Sequence, residues 1–503
     1  PAMATVGIKR VINGPFTFAP DGNPLVGPVR GLPNYWVACA VMAGLSQGGG
    51  VGLALATWMT QGDPGMDIWG MDVARFGDYA TIGYTNARVR ENYARRFRIT
   101  FPNEELSAGR PLHTTPIYDR LSVANAVWGA SYGLEHALWF QEPGKEPVEE
   151  VTFRRSNAWN QVAAECAAVR DGVGLIETSN FAKYHVSGAG AATWLSGLLT
   201  NRLPAVGRIR LNALLNPQGR LLGEFTVARA ADEEFFVFGS QAAETHHSRW
   251  FLDHLPEDAS VSFRVLGLGL VGLSLAGPRA RDVLQQVTDT DLATPSFRFM
   301  DFKPVQVGMI PARAGRLSYT GDLGYELWVA PEHQRALFDL LLDAGAAHGM
   351  RLFGFRALMS LRLEKGYGTW FREYRPIYTP LEAGLTTYID LDHEFIGRAA
   401  HEAELATGPA RRLVTLIVDP DPDDPADPIG DEPIWHDGAV VGWVTSGGYA
   451  HHSRASVALG YVPAHLATPG AVGGFEIEII GRRRPARLQP EPLFDPEGRR
   501  MRQ

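Results

Sequence analysis

Across 503 residues the chain has only two cysteines, Cys39 and Cys166. Neither has a CxxC partner, so no thiolate metal site or redox pair is spelled out, and a disulfide scaffold is excluded. Lysine is scarce as well, occurring only at 9, 145, 183, 303 and 365, and the other basic residues are arginine. Rare cysteine and the arginine bias set the expectation of a bacterial, cytoplasmic protein. A basic excess is missing: 47 basic residues against 55 acidic ones leave a net charge of −8, so a polyanion is repelled on average and nucleic acid is not an expected partner. No run reaches the roughly 18 apolar residues that span a bilayer. The best, Val265–Gly277, is broken by glycine and reads as a buried strand. No basic stretch leads into an apolar core at the N-terminus, so neither a secretory signal nor a membrane partner is expected. The paired histidines His246-His247 and His451-His452 cannot each close on one ion, because neighbouring side chains diverge. They read as surface residues, and no metal is expected.

What is present is a globular composition, 45% hydrophobic and 20% charged, with length for about 3 domains. Residues 419–432 (DPDPDDPADPIGDE) hold seven acids and no base, nearly the whole net charge, and read as a solvated loop.

Along the chain, Pro20–Pro24 is a turn cluster and Tyr35–Ala40 a buried strand. Gly44, Ser46, Gln47, Gly48, Gly49 and Gly50 then form a Gly-rich loop ahead of an apolar helical stretch, Leu53–Met59. Such a loop either offers bare backbone N–H groups to a ligand or packs tightly on its own sheet. A helix is expected over Tyr84–Arg96 and a connector at 134–150. From Val151 the pattern predicts helices at Asn157–Val169, Ala242–His254, Pro278–Val287, 332–347 and about 354–365. Strands Ile209–Leu215 and Leu221–Ala228 flank Asn216-Pro217-Gln218-Gly219, a hairpin signal. Strands mixed with helices, without strict βαβ alternation, argue for an α+β fold. The last unit, about 411–495, is strand-rich and spaced for a small barrel or sandwich.

Four motifs bear on chemistry. Gly188–Thr193 imitates a dinucleotide fingerprint but ends in threonine and lacks a closing acidic residue, so it reads as a helix start. Arg316–Leu327 (RLSYTGDLGYEL) sets Tyr319 and Glu326 on either side of a Gly-rich turn. A phenol and a carboxylate so placed suit a heteroaromatic ligand, the carboxylate accepting paired hydrogen bonds from an aminopyrimidine edge; the alternative is an exposed hairpin. Glu224 lies in a strand between Leu222 and Phe225. Facing a pocket, it would have a raised pKa suited to proton handling; facing outward, it would be ordinary surface. Arg362–Tyr367 is a helix stop with no function required.

On these residues the chain resembles a known family. The pieces SGAGAATWLSGLLTN, LLNPQGRLLGEFTV, LSYTGDLGYEL, SLRLEKGY, YTPLEAGL and GWVTSGGYAHHSRASVALGYV resemble the folate-binding aminomethyltransferase fold of the glycine-cleavage T-protein. Residues 1–67 resemble the C-terminal piece of an FAD-dependent amine oxidoreductase domain, and AGRPLHTTPIYDRL with YGLEHALWF resembles the domain that joins the two. This order is that of the dimethylglycine dehydrogenase and sarcosine dehydrogenase family. The resemblance implies units at 1–67, 68–126, 127–405 (the T-protein-like folate domain) and 411–498 (a C-terminal β-barrel). It implies a flavin that oxidises a small N-methyl amine to an iminium, and tetrahydrofolate that captures the carbon as 5,10-methylenetetrahydrofolate. Tyr319 and Glu326 match the residues that hold the pterin, Phe181 an apolar pterin-packing position and Gly239 a backbone contact. Glu224 matches a catalytic acid near folate N5 and N10, where many relatives have Asp. Gly44 and Ser46–Gly50 match the loop facing the isoalloxazine of FAD. The opening G-x-G-x-x-G of the family's FAD domain has no counterpart, so the resemblance implies an incomplete flavin site completed by an N-terminal part or a partner chain. A non-catalytic folate-binding subunit, and an aminomethyltransferase working on a carrier-bound amine, remain open.

Overall fold

The computed structural model describes residues 4–468 and 474–503. Two antiparallel-dominated sheets form the centre. The first has five strands in the order Ser262–Val265, Ala182–Ser187, Glu234–Gly239, Leu221–Ala231 and Arg208–Leu215, every pair antiparallel. In the second, Phe302–Val307, Ile310–Gly315, Gly324–Val329, Val271–Ala276 and Gly174–Glu177 are antiparallel neighbours, and the short Arg351–Leu352 adds a parallel edge. A six-stranded closed barrel, from Arg411–Val418 to Arg482–Gln489, follows. The α+β expectation holds, and closure decides for a barrel over a sandwich.

Strand periodicity places the core. In Leu221–Ala231 the side chains of Phe225 and Val227 enter one core with Tyr184, Trp194 and Phe251. The alternate positions face the other sheet, where Ala228 meets Ile209, Phe236, Phe238, Phe302 and Trp328. In Gly324–Val329 the odd positions Tyr325, Leu327 and Val329 pack into a core with the Gln334–Ala346 helix, through Leu337, Phe338 and Leu341. Glu326 and Trp328 are left on the opposite face.

The expected hairpin forms with Ala213 opposite Glu224. Its turn is closed by Asn216, whose Oδ1 accepts from Gln218 N (3.1 Å) and Arg220 N (2.8 Å), while Gly219 takes φ 74°. Gly188–Gly190 lead into the Ala191–Leu198 helix, as read.

Several expectations are corrected. Residues 44–50 are not a loop: helix begins at Gly44 and runs to Gln61. Trp36–Cys39 is a strand, but it pairs only with Leu25–Pro28 and its Cys39 end is exposed. In the Val265–Gly277 run only Val271–Ala276 is buried strand, because Gly267–Gly269 forms a 3-10 turn before it. The acidic loop is not merely solvated: Asp424 is buried against Arg154 and Arg484, and Asp427 pairs with Arg155. His247 is fully buried, its Nε2 2.9 Å from Leu222 O, and His246 Nδ1 lies 3.1 Å from the buried Asp72. Among the described residues no helix is long and apolar enough to cross a membrane.

Candidate functional site

Between the two sheets, with the barrel strand Ala439–Ala450 contributing Ser446 to Tyr449, lies a cavity of about 700 Å³. Glu224, Tyr319, Glu326, Phe181 and Gly239 all line it. The two carboxylates come from facing sheets. Strand alternation puts Glu224 and Thr226 on the inner face of one, and Glu326 and Trp328 on the inner face of the other. The pocket-facing alternative for Glu224 is therefore the one realised. Aromatic packing continues beside them, with Phe238 stacked on Trp328 at 4.4 Å between centroids.

Neither glutamate has a hydrogen-bond or charge partner among the described residues. Burial alone pushes each carboxyl up to about 7. Desolvation penalises the ionised form, and nothing in the protein offsets it. A carboxyl at this pKa is poised to hold or release a proton near neutrality.

Tyr319 sits in the turn between Ile310–Gly315 and Gly324–Val329. Its hydroxyl donates to Gly368 O at 2.6 Å, and its ring stacks on Tyr367 at 5.9 Å and 24°. Burial raises the phenol further above its usual range, so it stays protonated. The turn is pinned from behind. Arg170, fully buried, donates to Asp322 Oδ2 at 2.7 Å and to Glu364 Oε2 at 2.8 Å, and Arg500 reaches Asp322 Oδ1 at 2.8 Å. Gly321 takes φ 81°, and a Cβ there would lie 2.4 Å from Lys365 Cγ. Gly239 is equally constrained, since a Cβ would lie 2.9 Å from the Phe225 ring.

Three cavity residues were missed in the sequence. Trp328 is two positions from Glu326, so the same period-2 argument would have found it. Met501 reaches the wall from the far end of the chain and 3.6 Å from Tyr367 Oη, which no local pattern signals. Arg362, read only as part of a helix stop, lines the cavity and donates to Tyr367 O (2.9 Å) and to Ser446 Oγ of the barrel (2.8 Å). Arg154, Arg155, Arg356 and Arg372 also line the cavity, each paired with a carboxylate, Asp424, Asp427, Glu149 and Asp431 respectively.

The expected flavin residues are not brought to this site. Gly44 and Ser46 to Gly50 occupy the first turns of the Gly44–Gln61 helix and line no described cavity. Gly44, Gly48, Gly49 and Gly50 have no atom within 4 Å of a would-be Cβ. The larger cavity fits a pterin: two unpartnered carboxyls, a phenol and stacked aromatics line one space.

Comparison with known proteins divides the chain among three family models. The GCVT N-terminal domain model matches residues 117–393, the glycine cleavage T-protein C-terminal barrel domain matches 411–495, and the FAD dependent oxidoreductase central domain matches 61–115. The chain is 37% identical to human mitochondrial dimethylglycine dehydrogenase over all of its own length and 58% of that protein's. It is 30% identical to the formaldehyde-forming 4-methylaminobutanoate oxidase of Paenarthrobacter nicotinovorans, again over its full length and 61% of the relative's. The chain therefore spans about three-fifths of the length of these curated relatives. The crystal structure of glycine cleavage system aminomethyltransferase T from Bartonella henselae superposes with a TM-score of 0.65 and 25% identity, covering 76% of this chain and 98% of that one. The chain belongs to the glycine-cleavage T-protein family.

Proposed function

We propose that this chain binds a reduced folate in the 700 Å³ cavity and uses it to capture the carbon removed from a small N-methyl amine. The observation that carries the reading is the pair of unpartnered carboxyls, Glu224 and Glu326, lining one cavity from opposite sheets. Tetrahydrofolate, when bound, supplies the nucleophilic nitrogens that take up a carbon at the oxidation level of formaldehyde as 5,10-methylenetetrahydrofolate. Glu326 accepts hydrogen bonds from the aminopyrimidine edge, and Tyr319, already donating to Gly368 O, offers its oxygen as an acceptor. Phe181 packs the ring, and Gly239 lets the backbone approach closely. Glu224 takes up the proton released when the carbon is bound and returns it to the departing amine. The cavity residues carry the carbon-transfer half of this reading, and the two-electron oxidation of the amine that must precede it falls to the flavin that the match to an FAD dependent oxidoreductase central domain suggests.

The relatives that act on N-methyl amines support the amine as carbon source. A second reading, aminomethyl transfer involving a carrier-bound amine, is favoured by the match to the solved aminomethyltransferase. Dependence on a lipoyl carrier would distinguish it.

The test is the fate of the carbon. In turnover of an N-methyl amine by flavin-loaded protein with tetrahydrofolate present, Glu224→Gln should keep folate affinity within a few-fold. It should lower methylenetetrahydrofolate formation by about 10²-fold or more, with formaldehyde released instead. Unchanged partition in that variant removes Glu224 from the mechanism.

A further inference from the structure

The two central sheets are joined where Gly174–Glu177 of one passes to Ala182–Ser187 of the other through residues 178–181. Two of these residues, Asn180 and Phe181, line the larger cavity. On their far side lies a void of about 20 Å³, which Asn180 and Phe181 also line. Close packing therefore does not wedge the Phe181 ring from behind, and its place depends on how the turn itself is held.

Lys183 holds it. The residue stands opposite Phe238 in the strand pair, on the face that looks towards the other sheet, and is 1% exposed. Its side chain folds back on the turn, and Nζ donates to Ser179 O and to Phe181 O, both at 2.7 Å. Among the described residues no carboxylate forms an ion pair with it. Burial pulls the ammonium down to about 8, and the charges of Glu244 and Glu177 oppose that shift. A buried ammonium without a paired carboxylate is destabilising, and an apolar side chain of similar length would fill the space more favourably. What the ammonium supplies is a pair of charge-assisted bonds to the carbonyls on either side of Asn180.

The start of the turn is held by other groups. Thr178 N donates to Gly272 O at 3.0 Å. The buried Ser179 Oγ accepts from Gly272 N at 3.2 Å and from Gln334 Nε2 at 2.9 Å, and donates to Glu177 Oε1 at 2.9 Å. These bonds fasten the first half of the turn to the six-stranded sheet. Lys183 fastens the second half, through the Phe181 carbonyl, to the five-stranded sheet.

We propose that Lys183 is a positioning residue for the ligand of the larger cavity: its ammonium fixes the turn between the two sheets and so sets where the Phe181 ring meets that ligand. The assignment rests on the folate reading of the cavity.

The experiment is a double-mutant cycle on the full chain, read by calorimetric titration with 5-formyltetrahydrofolate. Lys183→Met should weaken binding about tenfold, and Phe181→Ala by a similar factor. The double variant should lose little more than Phe181→Ala alone, because Lys183 acts through that ring. In a Glu326→Gln background the loss from Lys183→Met should return in full. A role in general stability would not single out Phe181 in this way. If Lys183→Met does not fold, Lys183→Gln, which keeps a donor amide, goes through the same cycle with a loss of about threefold expected. Hydrogen exchange of the ligand-free chain reads the turn without any folate: the amides of residues 179–182 should exchange at least about tenfold faster in Lys183→Met than in the parent. Unchanged exchange, unchanged affinity in Lys183→Met, or a further full loss on top of Phe181→Ala would overturn the positioning role while leaving the folate reading in place. A folded parent that binds no 5-formyltetrahydrofolate would contradict the folate reading and, with it, the ligand role of Lys183.

Discussion

Glu224 and Glu326 share one property for one reason: each is a carboxyl facing an enclosed space with no partner, so each holds its proton to about pH 7. The unfolded chain releases the same protons near the ordinary value of 4.5. Between those two pH values the folded state binds more protons than the unfolded state, so stability falls as pH rises. The stabilising contribution is complete below 4.5 and gone above about 7. Urea unfolding of the ligand-free chain at pH 5 and pH 8 should show this loss, and Glu224→Gln with Glu326→Gln should shrink it. An equal pH dependence in the double variant would show that these two groups titrate normally. Much of this site was legible. The phenol and carboxylate across a Gly-rich turn named Tyr319 and Glu326 directly. For Glu224 the sequence left the direction open, because it has apolar neighbours on both sides, Leu222 two positions before it and Phe225 directly after it. Only the packing of Phe225 into the neighbouring core settles which way the carboxyl points.

The elements that carry these residues divide into turns that read plainly and one helix that did not. The Asn216–Gly219 turn has a side-chain acceptor and a left-handed glycine, both local signals, and the hairpin it forms is where it was expected. The Gly44–Gln61 helix misled because glycine costs about 0.5–1 kcal/mol per helix position relative to alanine, so a run of glycines reads as loop. In the structure those glycines touch no neighbour that demands them. Gly49→Ala should accordingly stabilise this chain by about 0.5–1 kcal/mol in denaturant unfolding. A destabilised Gly49→Ala would mean that the segment needs a bare backbone for a contact the described residues do not show. The 316–323 turn makes the opposite case. It holds its shape through the buried Arg170, whose partners Asp322 and Glu364 come from segments far apart in sequence. Asp322→Ala leaves a buried guanidinium under-compensated and should cost about 3–5 kcal/mol. A loss below about 1 kcal/mol would show that the turn does not depend on this pair.

At the scale of the molecule, the larger cavity is an assembly product. Its wall draws on both sheets, the barrel, the 102–103 and 131–132 segments, and Met501. Such convergence has no local signature, which is why Arg362 and Met501 did not emerge from motifs. The barrel is tied to the rest through Arg362 and Ser446, and Asp72 is pinned to the Glu244–Asp253 helix by paired bonds from Arg249 at 2.9 and 2.8 Å. The T-protein frame thus becomes a closed site only when its neighbours are docked. The exposed side chains of Leu45, Leu53 and Met59 on the Gly44–Gln61 helix lie outside that closure. The central claim is that this chain by itself forms a reduced-folate site. Calorimetric titration of the full chain with 5-formyltetrahydrofolate, a stable reduced folate, tests it directly. The account predicts saturable binding near 1:1 that weakens at least tenfold in Glu326→Gln, while circular dichroism shows an unchanged fold. Absence of binding to a folded chain, or equal affinity in Glu326→Gln and Tyr319→Phe, would contradict it.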